Sequence, residues 1–193
     1  MFDVLFSHIL KKVPLTEEEK STIKSFFISK NLRKKEFLLQ EGEICSCLSF
    51  VSKGLLRSYY IDDKGDEHMN LFAWEGWWSS DIYSFSFGES AQFNIDALED
   101  SELLMITREN LDKMTLQVPK MDRYFRILFQ NSLATKERRL VSSNSFTAKE
   151  KYIQLAETNP EMIQRVPQNL IASYLGLAPE TLSRIKKNIA LGK

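Results

Sequence analysis

The segment Gln168–Lys187, QNLIASYLGLAPETLSRIKK, constrains the fold more than any other stretch of the chain. Pro167 precedes it, and Leu170, Ile171 and Leu175 form the apolar side of a first short helix. Ala172 is small where two helices must cross closely. Gly176 stands at a turn, where a positive φ is met most easily by glycine. Leu177 is the apolar residue of that turn, and Pro179 opens a second helix, where its missing N–H costs nothing. Leu182 and Ile185 turn inward at i, i+3. Glu180, Thr181, Ser183, Arg184, Lys186 and Lys187 are left outward. This is the spacing of a helix-turn-helix, whose second helix enters a DNA major groove. A plain helical hairpin with a solvated charged face is the competing reading.

Upstream the hydrophobic period changes twice. PLTEEEKSTIKSFF is helical: Thr16 and Glu19 have capping-box spacing, and Ile23, Phe26 and Phe27 give an apolar face. From about Arg33 the chain turns to short runs rich in β-branched and aromatic residues: EFLLQEGE, CLSFVSKGLLRSYYIDDKGDEHMNLFA and FNIDALEDSELLMI. Glu41-Gly42, Lys53-Gly54 and Asp63-Lys64-Gly65 separate them as turns. Leu55–Ile61, DDKG and His68–Phe72 spell a hairpin. Strands at this spacing predict a sandwich or jelly roll of roughly a hundred residues.

After Thr107 the helical period returns, first in RENLDKMTLQ and then in a longer helix from Pro119 to about Val141. Met121, Tyr124, Phe125, Leu128 and Leu133 make one side of it too apolar for water. That side packs either on its own β domain or on the same helix of a second chain. SSNSFTAKEK reads as a polar hinge around Asn144, followed by further short helices. The expected domains are 1–117, a sensor; 118–145, a pairing helix and hinge; and 146–193, the helix-turn-helix domain.

Charge and chemistry-bearing residues narrow the function. Twenty-six cationic side chains balance 26 anionic ones over the whole chain. From Pro160 on, however, Arg165, Arg184, Lys186, Lys187 and Lys193 face only Glu161 and Glu180, a basic tail on an acidic body. The two cysteines, Cys45 and Cys47, are one residue apart. They fall short of the four thiolates of an iron–sulfur cluster and read as free thiols in a reduced compartment. The two histidines, His8 and His68, lie far apart in sequence, which argues against a jelly-roll metalloenzyme. There is no P-loop and no Ser-His-Asp set. No catalytic residue, metal ligand or cofactor is therefore assigned. MFDVLFSHILKK lacks the order of a signal peptide, and no run approaches a membrane span. The expectation is a cytoplasmic protein with no membrane contact.

Strands, long helix and helix pair, in this order, resemble the cyclic-AMP receptor protein / fumarate-nitrate regulator (Crp/Fnr) superfamily of bacterial transcription factors. LIASYLGLAPETLSRIKK, EGEICSCLSFVSKGLLRSYY and FAWEGWWSSD carry the resemblance most strongly. It implies an α+β fold: an N-terminal cyclic-nucleotide-binding-like β jelly roll, a long dimerisation helix and a C-terminal helix-turn-helix domain. It further implies a homodimer on a near-palindromic double-stranded DNA operator, with RNA polymerase as another partner. By resemblance Glu180 and Arg184 read bases, with Thr181 near the groove and Ser183 on the same exposed face. Glutamate suits cytosine N4 and arginine suits guanine. Gln168, Asn169, Lys186 and Lys187 are better placed for phosphates. The residue before Glu180, often an arginine in the family, is Pro179 here, so the preferred base sequence should differ. The chain's end at Lys193 leads to the expectation that no β wing follows the second helix.

A family domain that binds cyclic nucleotide carries a glutamate turn for the ribose and an Arg-Ser pair for the phosphate. Here those positions fall near Asp81 and at Ala91-Gln92, and no lysine or arginine occurs from Trp74 through Ser101. A phosphate needs a guanidinium fork or comparable donors. The expectation is a sensor that does not bind cyclic AMP in the usual way. Its pocket is either degenerate or ligand-free, or is lined by Trp77, Trp78, Ser80, Asp81, Gln92 and Phe93 for a different, apolar or cationic effector whose identity the sequence does not give. The alternative whole-chain reading is a jelly-roll ligand-binding module whose helical tail docks a protein.

Overall fold

The computed structural model describes residues 1–191; Lys193, counted above in the basic tail, lies outside the described residues. In chain order the elements are α1 (Phe2–Leu10), α2 (Glu17–Lys24), β1 (Ile28–Leu32), β2 (Phe37–Leu39), β3 (Cys47–Lys53) and β4 (Leu56–Ile61). There follow β5 (Glu67–Ala73), β6 (Trp78–Ser79), α3 (Ile82–Phe87), β7 (Asn94–Ala97), β8 (Ser101–Thr107), α4 (Arg108–Gln117) and α5 (Lys120–Ser145). The last four are α6 (Ala148–Thr158), α7 (Pro160–Arg165), α8 (Gln168–Leu175) and α9 (Pro179–Ala190).

The strands form two four-stranded sheets, ordered β1-β8-β3-β6 and β2-β7-β4-β5. Sequence-distant strands are neighbours in both, as in a jelly roll. Period two divides the first sheet cleanly. Leu48 and Phe50 of β3 and Leu104 and Ile106 of β8 share one face, and all four are at most 3% exposed. That face meets the helices: the His8 ring of α1 lies 5.9 Å from that of Phe50, tilted by 48°, and Phe125 of α5 lies edge-on to Trp78. The other face carries Cys47, Ser49 and Met105 toward the interior of the sandwich.

The capping box at Thr16 forms as expected, with Thr16 Oγ1 accepting from Glu19 N and Glu19 accepting from Thr16 N. Three expectations need correction. The β region starts at Ile28, before Arg33, because ISKNL pairs antiparallel with β8 despite its polar sequence. The aromatic segment after Asp81 contains a short helix, α3, because the Asp81 side chain caps Ser84 N. Within SSNSFTAKEK the helix does not break at Asn144: α5 runs on to Ser145. The break comes at Phe146 and Thr147, where Thr147 and Glu150 form a second capping box and start α6.

The chain divides into two compact units. One joins Met1–Tyr60 to Phe72–Gln130; the other joins Ile61–Leu71 to the described residues from Asn131 on. In the first, Met121, Tyr124 and Phe125 of α5 are buried. In the second, Leu155, Met162, Val166, Ile171, Ala172 and Leu182 supply the core. The tip between β4 and β5 belongs to this second unit. There Asp62 Oδ1 accepts from Lys64 N and Asp66 N, and Asp62 Oδ2 meets His68 Nε2 at 2.8 Å. Among the described residues no helix is long and apolar enough to cross a membrane.

Candidate nucleic-acid interface and sensor cavity

α8 and α9 cross as the sequence spacing predicts. Ile171, Ala172 and Leu182 are at most 3% exposed and Ile185 is half-buried. Gly176 takes φ 68°, and its N–H closes α8 on Ala172 and Ser173 carbonyls. Neither helix has a side-chain cap at its N-terminus. The amides of Gln168 and Asn169 in α8 and of Glu180 in α9 are thus left to solvent or a ligand, at the positive ends of both dipoles.

Those ends converge. Gln168, Asn169, Pro179, Glu180, Ser183 and Arg184 line one open depression of about 530 Å³. Glu180, Ser183, Arg184, Lys186 and Lys187 are exposed, and Thr181 is half-buried. Arg184 Nη2 lies 3.3 Å from Thr181 Oγ1, and Lys186 Nζ lies 3.2 Å from Gln168 Oε1. Thr181, Lys186 and Lys187 stand outside the depression's lining. Such a surface offers hydrogen-bonding side chains above the free amides of two helix N-termini, the chemistry that a phosphate backbone and base edges require.

The first unit holds a cavity of about 540 Å³ between its sheets. Leu39, Cys45, Ser49, Ser79 and Ile95 are its buried lining, while Lys30, Glu43, Ile44 and Ser46 are exposed at its rim. Both cysteines are free thiols on its wall. Burial pushes the Cys45 thiol up from its ordinary value, and its Sγ donates to the Cys47 carbonyl at 3.4 Å. Ser49 and Ser79 face each other across β3 and β6. They are 2% and 3% exposed, and among the described residues neither hydroxyl makes a hydrogen bond.

The residues expected at the pocket are scattered. Ser80 lines the cavity; Trp77, Trp78, Asp81, Gln92 and Phe93 do not. Trp78 lies on the helix-facing side, within 5.3 Å of the Phe50 and Phe125 rings, and its Nε1 donates to Tyr124 Oη at 2.9 Å. Trp77 packs on Trp74 at 4.5 Å. Asp81 is 2% exposed, and its two oxygens accept from Ser84 N and Gln92 N. A carboxylate therefore already occupies the amides of this turn. The nearby arginines are engaged too: Arg57 forks onto Asp96, and Arg108 donates to the Ser86 carbonyl. Sequence reasoning missed Lys30 and Ser49, which the pairing of β1 with β8 and of β8 with β3 brings to one cavity. Alternation along ISKNL was the available signal.

A jelly roll followed by helices is the architecture of cyclic nucleotide-binding domains, and the family model of that domain matches residues 29–117. The chain's relatives in sequence include bacterial transcription regulators. The transcriptional activator protein Anr of Pseudomonas protegens is 26% identical over 167 residues, 80% of this chain and 67% of that protein. The chain thus spans about two thirds of that curated relative's length. Among solved structures, FixK2 from Bradyrhizobium japonicum superposes with a TM-score of 0.70 at 22% identity, over 86% of each chain. The catabolite activator protein of Thermus thermophilus gives 0.59 at 20% identity, over 96% of this chain and 87% of that one.

Proposed function

We propose that the chain is a homodimeric, sequence-specific DNA-binding transcription regulator whose jelly roll senses something other than a cyclic nucleotide. The observation that carries this reading is the convergence of Gln168, Asn169, Glu180, Ser183 and Arg184 on one open surface above two uncapped helix N-termini. The relative named a transcriptional activator supports it. Support for dimerisation comes from α5, where Phe129, Leu133, Leu140 and Val141 are 42–65% exposed on one helix. Large exposed apolar residues along a helix suit pairing with a second copy. Support for an altered sensor comes from Asp81, whose buried carboxylate would repel a phosphate from the amides it holds.

A gel shift on the chain's own upstream DNA tests the reading. Affinity should fall steeply between about 50 and 200 mM salt, because lysine and arginine contacts release counterions. A complex insensitive to salt, or none, would favour a helix pair that docks a protein.

A further inference from the structure

The sandwich cavity is built for a particular ligand chemistry. The pairings of β8 with β3 and of β3 with β6 set Met105, Ser49 and Ser79 in one row across the inner face. Ser49 and Ser79 present two O–H donors side by side with no partner among the described residues. Leu39 and Ile95 of the opposite sheet face that row with hydrocarbon alone. At the rim Lys30 holds a cation that makes no ion pair among the described residues. The rim also carries the Glu43 carboxylate, one oxygen of which accepts from Gln40 N at 2.9 Å.

Two polar anchors are thus separated by apolar wall. Donors at the floor want an acceptor oxygen, and the ammonium at the rim wants an anion. A single lysine with two hydroxyls lacks the fork and amide nest of a phosphate site and suits a monocarboxylate. We propose that the cavity binds a small oxo-carboxylic acid, its carboxylate against Lys30, its carbonyl oxygen on Ser49 and Ser79, and its chain along Leu39, Ile95 and Met105. The volume of about 540 Å³ falls within the range of small-ligand sites. This inference rests on the reading of the jelly roll as a sensor and names the chemistry it senses.

Isothermal calorimetry on the full chain without DNA separates it from the DNA-binding reading, which the gel shift tests alone. The probes are 7-oxooctanoate, octanoate, 2-octanone and cyclic AMP. The oxo acid should bind with a Kd below about 1 mM. Lys30→Gln should weaken 7-oxooctanoate and octanoate alike by about tenfold. Ser49→Ala should weaken 7-oxooctanoate by about tenfold and leave octanoate unchanged. Both substitutions are small, one exposed and one a hydroxyl deletion, and unchanged melting would show that the variants fold. No heat from the oxo acid overturns the proposal. So does an affinity that neither variant alters, or equal binding of octanoate and the oxo acid. Binding of cyclic AMP in the same cavity would overturn the sensor reading itself.

Discussion

The guanidinium of Arg139 lies 3.9 Å from the centre of the Tyr174 ring and donates to the Tyr174 carbonyl at 3.1 Å. The same group donates to the Met69 and Asn70 carbonyls. One residue along α8, Ser173 Oγ accepts from Met69 N and donates to the Glu67 carbonyl. Within the second unit, α5 and the start of β5 therefore fix α8 through backbone groups. Arg139→Ala should lower the stability of this clasp by about 2 kcal/mol, since three carbonyls lose their donor. Arg139→Lys should restore only part of it, because an ammonium neither forks nor stacks as a guanidinium does. Hydrogen exchange of the Met69 and α8 amides reads the effect. Unchanged protection in Arg139→Ala would show that the clasp contributes nothing.

Arg184 and Lys187 should fail differently. Arg184→Ala is expected to cost about 1–3 kcal/mol of DNA affinity and to relax the preference at one base position. Lys187→Ala should weaken all sequences alike and reduce the salt slope by about one. Competition binding with a randomised half-site distinguishes the two. If Arg184→Ala leaves both affinity and preference unaltered, the assignment of α9 as reading helix is wrong.

The helix pair was legible in the sequence because each of its determinants is local. Ala172, Gly176, Pro179 and Leu182 act on neighbours within a few positions, so spacing alone defines the crossing. The capping boxes and the β4–β5 hairpin are legible for the same reason. The cavity was not, because its polar groups come from strands that meet only through non-local pairing. Lys30 and Ser79 are 49 positions apart, and neither sits in a recognisable motif. The tryptophans misled because β6 turns Trp78 and Ser79 to opposite faces. Trp78 turns to the helices, and Ser79, which looks bland in sequence, turns inward. Composition could not tell those faces apart.

Gly54 and Gly176 both have positive φ, yet alanine should not cost them equally. At Gly54, with φ 97°, an added Cβ would lie 2.2 Å from Ser101 Oγ and 2.6 Å from the Asp100 carbonyl oxygen. At Gly176, with φ 68°, it would meet nothing within 4 Å. Gly54→Ala should therefore destabilise by about 3 kcal/mol or more, strain and overlap together. Gly176→Ala should cost about 1 kcal/mol from backbone strain alone. Urea titration of the two variants measures the difference, and equal midpoints would contradict the close approach at Gly54.

His8 makes stability depend on pH above the carboxylate range. Its Nδ1 lies 2.7 Å from Tyr124 Oη and its Nε2 lies 3.2 Å from Lys12 Nζ. Burial, then the charges of Lys12 and Lys11, lower its pKa from 6.5 to about 4. The unfolded chain thus takes up a proton near pH 6.5 that the folded chain refuses until near pH 4. The contribution of His8 is complete above pH 6.5, falls as the pH drops from 6.5 to 4, and changes no further below. Glu17 and Glu19 have lowered pKa values through Lys20 and Lys120, and they act only below their ordinary 4.5. A comparison between about pH 7 and pH 5 therefore avoids these carboxylates, and the His8→Gln variant singles out His8. Over that range the thermal midpoint should fall further in the unmodified protein than in His8→Gln, which hydrogen-bonds but does not titrate. Parallel melting curves for the two proteins would show that the proton is not excluded at His8.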